Sequence, residues 1–574
     1  MAGLAFGDRT VLAGLALRRA FRGLYVAFHT SPLYRWRYSG NAPQRLLVAP
    51  QDIRTADPVV ASEIYAGIYA LDGTTVQCKG ASPFETPPPN DAWREALHGF
   101  GWLRHLRSAD IGLARTNARA LVDEWISICG SYDPGAWAPH IVSRRMISWL
   151  SHAPLLLNDC PPDFYRRFMR SLSRQSRYLA RTAPEATDGA ARLTADIALT
   201  MAGLCMAGRE RRLRRHTQWL TQEIENQILP DGGHISRNPQ MIVELLLDLL
   251  PLGQTFAARD MPPPDALVRA IDRMMPMLRF FRLGDGGLTR FNGASSTAPD
   301  IIATLLAYDE NRGKPVPNAR FSGYLRLEAG DTVLVADSGA TPPVDASDRA
   351  HAGALSFEMS YRRQPIIVNC GAPASAAPQW REACRATAAH STAVVNNRSS
   401  SRIIGPGKLR NWVGPLVVSG PDRLEGDIST NEMMTIASME HDGYRAAFGI
   451  IHHRRLALLN DGSILQGEDL FTGPHNRQLA INSAGRYAIR FHLHPAISAT
   501  LDEDSGKVLL FSRTDPDFSW VFSADGAEIA IEESVFLTAI AGPRRTDQIV
   551  LTGRCGRHNR VSWSLAANRA PDSA

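Results

Sequence analysis

The chain has 574 residues, of which 44% are apolar and 21% charged, and its formal net charge is +6. This length exceeds what one hydrophobic core usually supports, so two large domains or three smaller ones are expected. The weak positive charge, with a basic run only at residues 209–216, argues against a nucleic-acid-binding protein. The seven scattered cysteines lack disulfide-framework or zinc spacing, and no glycine-rich phosphate loop indicates a nucleotide cofactor.

The N-terminal segment contains an apolar run at residues 11–17, which is closed by the arginines of residues 18–22. No small-residue cleavage site follows, so the segment does not match a signal peptide. No stretch reaches the ~18 apolar residues of a membrane span. Residues 11–28 fit either a packed N-terminal helix or a basic amphipathic helix in peripheral contact with a membrane. We therefore expect the protein in the cytoplasm or in the cell envelope or periplasm.

Helical periodicity dominates residues 91–315. Residues 1–90 are a mixed N-terminal extension that ends in the proline-rich loop 81–90. Beyond it, apolar residues recur at spacings of three and four, beginning with Trp93 and Leu97. Many amphipathic segments separated by short loops predict antiparallel helix pairs, which close as a toroid or stack as a solenoid. No repeat consensus favours the solenoid.

Near residue 320 the periodicity changes from helical to strand-like. Residues 322–339 are predicted to form two strands around a turn at Gly330, with Leu325 and Leu327 on the buried face of the first. Short strands follow one another to the end of the chain, which predicts an antiparallel β-sandwich over residues 316–574. The predicted fold class is an α+β tandem, with a cleft at the domain junction where ligands often bind.

Two histidines stand beside strand-like runs of the predicted sandwich. His351 begins HAGALSFEMSY, His390 begins HSTAVV, and Asn369 lies at the end of PIIVNCG between them. In the helical half, WREALHGFGWLRHL, WAPHIVSRRMISWL and LPDGGHISRNPQ follow in order. Together these motifs resemble the heparinase II/III family of polysaccharide lyases, over residues 90–565.

The resemblance implies a fold and a chemistry. The fold is an N-terminal (α/α) toroid followed by a C-terminal antiparallel β-sandwich. The chemistry is β-elimination at uronic-acid glycosidic bonds of an acidic polysaccharide, and it requires no cofactor. Such an enzyme must neutralise the uronate carboxylate, remove the α-proton and protonate the leaving oxygen. His351 matches the catalytic histidine that the family carries on its sandwich.

The resemblance also implies a possible site for a structural divalent metal. His390 and Asn369 match positions that help to hold a structural divalent metal in some relatives. The family pattern has aspartates where this chain has Gly353 and Asn369, and neutral oxygen donors bind hard cations less well than carboxylates. His390 either ligates such a metal or forms a hydrogen bond to its own loop.

The loop LPDGGHISRNPQ supplies further candidates. We expect His234 to act as a base, Arg237 to clamp a carboxylate and Asn238 to contact substrate. Because Asn238 precedes a proline, it also suits a helix N-cap, which is the alternative interpretation. In WAPHIVSRRMISWL, the helix-borne arginine of the family corresponds to Arg144 or Arg145. Arg145 and Trp149 are candidate substrate-binding residues by the same resemblance.

The chain departs from the family pattern at two places. A Gly-Asn-His motif, whose asparagine neutralises the carboxylate in known lyases, corresponds here to Gly-Ala-Ala at residues 189–191. A Tyr-His pair corresponds to Met-Ile at residues 241–242, which leaves Tyr444 or Tyr178 as a candidate acid or base. A buried structural tyrosine is the alternative interpretation of either residue. Either the catalytic site has been rebuilt around His234, Arg237 and His351, or lyase activity has been lost.

Three functions therefore stay open at this stage. The first is a polysaccharide lyase that cleaves an acidic, uronic-acid-containing polymer. The second is a catalytically degenerate polysaccharide-binding protein in envelope polysaccharide synthesis or processing. The third is a glycoside hydrolase, which needs two carboxylates across a cleft; its helix-surface candidates are Glu223, Glu225, Glu244 and Asp248. The sequence does not specify the sugar, the mode of cleavage or the oligomeric state.

Overall fold

The structure is a computed structural model that describes residues 6–31, 34, 36–108, 111–183, 189–309, 313–373, 378–480, 485–538 and 542–568. In chain order its α-helices are α1 (Phe6–Thr30), α2 (Pro58–Tyr65), α3 (Asp91–Gly99), α4 (Leu103–Arg107), α5 (Ile111–Cys129), α6 (Pro139–Ser151), α7 (Ala153–Leu157), α8 (Pro162–Thr182), α9 (Ala190–Cys205), α10 (Glu210–Gln227), α11 (Pro239–Ala257), α12 (Asp265–Phe280), α13 (Pro299–Ala307), α14 (Pro378–Ala383), α15 (Lys408–Val413) and α16 (Arg445–Phe448).

The helical domain is arranged around α9. From Leu193 to Cys205 every residue of this helix is buried, and apart from Thr194, Asp196 and Thr200 these residues are apolar. The helix packs against α6, α8, α10 and α11. A helix that is buried on every side belongs at the centre of such a bundle. The predicted run of amphipathic helices is confirmed.

The strands are β1 (Ile68–Leu71), β2 (Thr74–Gln77), β3 (Asn318–Ala319), β4 (Tyr324–Ala329), β5 (Thr332–Asp337), β6 (Phe357–Tyr361), β7 (Gln364–Val368), β8 (Ala393–Val395), β9 (Arg402–Ile403), β10 (Val417–Ser419), β11 (Leu424–Thr430), β12 (Met434–His441), β13 (Ile451–Leu459), β14 (Ile464–Thr472), β15 (Arg486–Leu493), β16 (Ile497–Asp502), β17 (Lys507–Ser512), β18 (Ser519–Asp525), β19 (Glu528–Phe536), β20 (Arg544–Arg554) and β21 (Arg560–Ala567).

Two antiparallel sheets form the C-terminal domain. One has the strand order β11-β12-β13-β14-β21-β18-β17-β16, and the other has the order β19-β20-β15-β7-β6-β5-β4-β3, with β8 added beside β15. Their facing side chains make one core, in which the rings of Phe357 and Trp563 stack with centroids 5.8 Å apart. The predicted antiparallel β-sandwich is confirmed, and the β4–β5 hairpin turns at Gly330 as the sequence predicts.

Helix α1 joins both domains. Its inner face packs against α8, α15 and β10, where Leu12 contributes to a small cluster with Val413 and Leu416. Its outer face exposes four large apolar side chains: Leu17, Phe21, Leu24 and Phe28. In the described part of the chain, no helix combines the length and the apolar character that crossing a membrane requires.

Candidate active site in the interdomain cleft

A cleft of about 1250 Å³ lies between the helical domain and the sandwich. Residues of α3, α6, α9 and α11 form one wall, and the loops that follow β5 and β7 contribute to the other. This volume exceeds the roughly 300–1,000 Å³ of ordinary small-ligand pockets, as an extended ligand requires. The arginines that line it are Arg54, Arg104, Arg144, Arg349, Arg381, Arg385 and Arg410.

Part of this positive charge is already paired. Arg54 and Arg144 both bind the buried carboxylate of Asp248, with 2.6 Å between Arg54 Nη2 and Asp248 Oδ1. Asp248 is therefore an internal counter-ion and not the helix-surface carboxylate that the hydrolase hypothesis requires. The side chains of Arg349 and Arg381 are exposed on the cleft wall, and neither forms a short ion pair within the described part of the chain. These two cations are the best placed to receive an anionic ligand.

His351 lies on the sandwich wall of the cleft, in the loop between β5 and β6. Its backbone N–H donates to Asn292 Oδ1 at 3.2 Å. In its ring, Nδ1 lies 3.0 Å from His390 Nε2, and Nε2 lies 3.8 Å from Cys384 Sγ. Burial lowers the pKa of His351 well below its usual value, with a further contribution from His390. The imidazole is therefore neutral at pH 7, as a general base must be.

The donor set around His390 does not fit a divalent metal. His390 Nδ1 lies 2.8 Å from the Ala386 carbonyl oxygen and Nε2 faces His351, so neither nitrogen is directed at an open site. Asn369 Oδ1 accepts a hydrogen bond from the Ser391 backbone at 2.9 Å. The Asn369 Nδ2 amide is buried without a partner among the described residues, and an N–H donor repels a cation. The described residues contain no cluster of three His, Cys, Asp or Glu side chains suited to a metal.

His234 and Arg237 lie at the domain junction rather than among the described residues that line the cleft. His234 Nε2 lies 2.9 Å from Gln227 Oε1 and Nδ1 lies 2.7 Å from Ser236 Oγ. Arg237 donates to four backbone carbonyls of residues 322–340 and to the Asp337 carboxylate. Both side chains are buried. The contacts of Arg237 fasten the loop to the sandwich, whereas those of His234 stay within the helical domain. Neither side chain lines the cleft beside His351.

The remaining predicted site residues also have protein partners. Asn238 Oδ1 accepts from the Gln240 backbone and caps α11, which is the alternative that the sequence allowed. Tyr444 OH donates to the Ala393 carbonyl at 2.9 Å from a fully buried position. Arg145 is buried and stacks 4.0 Å from the centroid of a tryptophan ring, while Trp149 lies in the helical core. Among the described residues, Arg145 Nη2, Trp149 Nε1 and Asn238 Nδ2 are buried without a hydrogen-bond partner, whereas the Tyr444 hydroxyl is satisfied within the sandwich.

Comparisons with known proteins identify the family that has this architecture. Residues 311–564 match the family model described as heparinase II/III-like, C-terminal. A relative from Caulobacter vibrioides (strain NA1000 / CB15N), FtsZ-localized protein C, is 32% identical over 580 residues, which cover 98% of each chain. The chain belongs to the heparinase II/III-like family.

Solved structures show the same fold as this family member. Heparinase III superposes with a TM-score of 0.70 at 14% identity, covering 94% of this chain and 90% of that one. The heparan sulfate lyase HepC of Pedobacter heparinus has a TM-score of 0.61 at 17% identity, covering 100% and 92%. At these identities the likeness concerns the fold alone, which is a helical toroid followed by a β-sandwich, as predicted.

One of the two departures from the family motifs lies on the cleft wall. Ala190 and Ala191, in place of the asparagine and histidine that the resemblance implies, line the wall opposite the sandwich. Met241 and Ile242, in place of the implied tyrosine and histidine, are buried in the helical core. The helical domain of this family member therefore lacks the implied polar pair at both positions, while His351 lies on the sandwich wall.

Sequence reasoning missed Arg349 and Arg381. Arg349 lies two residues before His351, and Arg381 three residues before Cys384, so each flanks a segment that the motifs single out. Proximity to the His351 motif was the available signal. Arginine is so frequent in this chain that the signal did not stand out, and only the folded structure places both side chains on one cleft wall.

Proposed function

We propose that the protein binds an acidic, uronic-acid-containing polysaccharide in the interdomain cleft and cleaves it by β-elimination. The observation that carries the proposal is the position of a neutral histidine, His351, on a cleft wall that also presents the cations Arg349 and Arg381. Planar guanidinium groups suit carboxylates because they donate two parallel hydrogen bonds. The family membership and the size of the cleft support a polymeric substrate.

The proposed chemistry divides between these residues. Arg349 neutralises the uronate carboxylate, which makes the adjacent C5 proton acidic. His351 removes that proton, and the C4–O bond breaks as the C4–C5 double bond forms. His351 then returns the same proton to the leaving oxygen, so one imidazole serves as base and acid. This route needs no tyrosine, so it is open to a family member that lacks the expected one.

The test is the ultraviolet absorbance of the unsaturated uronate product, since the intact polymer lacks its conjugated double bond. We would incubate the purified protein with a panel of uronic-acid polysaccharides, beside His351→Ala and a matched control, His558→Ala. His558 is exposed on a distant turn of the sandwich. Product formed by the wild type and the control but not by His351→Ala supports the proposal. Measurable binding to a polymer without product would favour the non-catalytic polysaccharide-binding function.

We also propose that α1 attaches the protein to a membrane surface. Leu17, Phe21, Leu24 and Phe28 follow at spacings of four, three and four, so they share one helix face, and each is at least 60% exposed. The opposite face already packs on the protein through Leu12. A partly basic helix with a largely exposed aromatic and aliphatic face fits the boundary between lipid headgroups and acyl chains.

Sedimentation with vesicles of phosphatidylglycerol and phosphatidylcholine tests this attachment. We expect Phe21→Glu/Leu24→Glu to leave the protein in the supernatant. Met433→Glu is the matched control, because Met433 is an equally exposed apolar residue on a hairpin of the sandwich. A double variant that sediments as well as the wild type contradicts the proposal. Loss of a dimer instead of vesicle binding would assign the face to self-association.

The Caulobacter relative suggests a protein partner. Its name states that it localises with FtsZ, and its identity to this chain extends over the full length of both. We propose the same association here, and co-sedimentation of the full chain with FtsZ filaments tests it. Failure to sediment above the level of the protein alone would limit this association to the relative.

A further inference from the structure

His390 has lost the environment of a metal ligand and makes a different contact. Its ring lies between the Ala386 carbonyl and His351, and the His351 ring in turn lies between His390 and Cys384. We infer that His390 is a positioning residue, which holds His351 in the tautomer whose Nε2 is unprotonated and directed toward the cleft wall. The inference deepens the proposed lyase function and rests on it for its role in catalysis.

The tautomers of both rings follow from the contact of His390 with a backbone carbonyl. A backbone carbonyl can only accept, so His390 Nδ1, 2.8 Å from the Ala386 oxygen, carries a proton. A neutral His390 then has a lone pair on Nε2, and His351 Nδ1 donates to it at 3.0 Å. A neutral His351 with a proton on Nδ1 has its lone pair on Nε2. Burial lowers the pKa of His390 to about 4, which keeps it neutral at pH 7.

In this tautomer the Nε2 lone pair is where a base requires one. Cys384 Sγ lies 3.8 Å from Nε2, and both Cys384 and His351 line the cleft. The opposite tautomer would place a proton on Nε2 and leave Nδ1 without one. His351 would then be unable to accept a proton from a ligand in the cleft, and its Nδ1 would face the lone pair of His390.

Gly353 makes this arrangement possible. A Cβ atom at residue 353 would lie 2.8 Å from His390 Cδ2 and 3.2 Å from His390 Nε2, closer than side chains approach one another. The family pattern has an aspartate at this position, which cannot coexist with the observed ring position. The replacement of that aspartate by glycine and the hydrogen bond between the two histidines are therefore linked: the ring occupies the space that the missing side chain vacates.

Loop contacts hold the His390 ring in this position. Asn369 Oδ1 accepts from the Ser391 backbone, and the Ser391 hydroxyl donates to the Val368 carbonyl at 2.8 Å. His492 Nε2 lies 3.0 Å from the Ala388 carbonyl in the same loop. Asn369 therefore acts on the backbone next to His390 rather than on an ion. This role explains why a neutral amide is sufficient where the family has a carboxylate.

Nitrogen-15 spectra of the histidine rings test the inference without an activity assay. We would label the full-length protein with ¹⁵N-histidine and assign His351 by comparison with His351→Gln. We expect a protonated Nδ1 and an unprotonated Nε2 at pH 7. A protonated Nε2 in the wild type overturns the inference, and so does a shift of both histidines when Zn²⁺ or Ca²⁺ is added.

Three variants separate positioning from simple packing. His390→Leu removes the acceptor, so we expect His351 to show a mixture of tautomers and kcat to fall roughly 10- to 100-fold with KM little changed. His390→Gln retains an acceptor oxygen and a donor for the Ala386 carbonyl. We therefore expect it to keep most of the wild-type His351 tautomer and most of kcat. Gly353→Ala should displace the ring and act like His390→Leu. Unchanged His351 spectra in folded His390→Leu and Gly353→Ala would contradict the inference.

The two proposals fail in different ways. If the expected tautomer is present but no polysaccharide yields unsaturated product, the His390–His351 arrangement stands and the lyase function is wrong. If product forms while His351 Nε2 is protonated, the lyase function stands and His390 does not position its base.

Discussion

Arg237 of the helical domain and Asp337 of the sandwich form a buried ion pair across the domain junction, with 2.5 Å between Arg237 Nη2 and Asp337 Oδ1. The guanidinium also lies 4.6 Å from the centroid of the Tyr324 ring. Arg237 adopts a left-handed backbone conformation, with φ of 58°, which costs energy for a residue other than glycine. Its numerous contacts with the sandwich stabilise that conformation.

Replacement of Arg237 by Met should therefore lower stability strongly. It leaves the Asp337 carboxylate and several carbonyls buried without their donor, and breaking a buried pair in this way typically costs about 3–5 kcal/mol. Urea denaturation measures the change in the free energy of unfolding. Arg423→Met is the control, since Arg423 pairs with Glu425 on the exposed surface, where ion pairs contribute little. If the Arg237→Met protein is as stable as the wild type and loses only polysaccharide binding, Arg237 binds substrate and its role is not structural.

Arg349 should contribute to substrate recognition without stabilising the fold. We expect Arg349→Ala to weaken binding of a uronic-acid polymer about tenfold, corresponding to about 1.4 kcal/mol, because a paired guanidinium–carboxylate contact is lost. Arg349→Lys should recover only part of the affinity. Calorimetric titration measures the change, with the exposed Arg557→Ala as control. Equal affinities for the Ala variant and the wild type would place the substrate elsewhere.

The buried histidines should make the fold sensitive to acid. Burial lowers the pKa to about 4 or below for a set of six: His98, His216, His234, His390, His492 and His494. Above pH 6.5 neither state binds a proton at these groups, so stability does not depend on them. Between pH 6.5 and about 4 only the unfolded chain binds these protons, so stability falls as pH falls, by about 1.4 kcal/mol per pH unit for each histidine.

Asp196 has the opposite effect on the pH dependence of stability, because it binds one proton in the folded state. Burial raises its pKa to about 7, so in the same interval the folded state holds a proton that the unfolded chain releases. Urea denaturation at pH 7, 6 and 5 measures the balance, and we expect a steep loss of stability. His234→Asn removes one titrating group and should make the loss shallower. Equal stability at pH 7 and pH 5 would contradict the buried, neutral state of these histidines.

Local pattern was sufficient for the secondary structure of both domains, whereas the toroid was implied by the family resemblance. The apolar spacing that begins at Trp93 predicted the helices, and the alternation at Leu325 and Leu327 predicted the β4–β5 hairpin. Each of these signals depends on neighbours within a few residues. The His351 motif had the same local character, and the structure places His351 on the wall of the cleft.

The positions of the other predicted site residues depend on partners that are distant in sequence. Arg145 has the residue type of a substrate ligand, but its donors go to Gln175 and to the backbone carbonyls of His98 and Ala136, which the chain brings together only on folding. A charged residue in a helix is ordinarily exposed, so no periodicity reveals a buried arginine. Arg237 is a similar case, because its acceptors lie 85 or more residues further along the chain.

In the proposed function, the polysaccharide binds in the interdomain cleft at His351 and Arg349. A crystal structure of His351→Ala with an oligosaccharide of the polymer that the wild type cleaves tests it most directly. We expect the sugar between α6 and the loop after β5, with its carboxylate on Arg349 and its C5 atom facing the position of the missing imidazole. Sugar bound only elsewhere, such as in the groove lined by Glu440, His453 and Arg455 on the sandwich, would contradict the account.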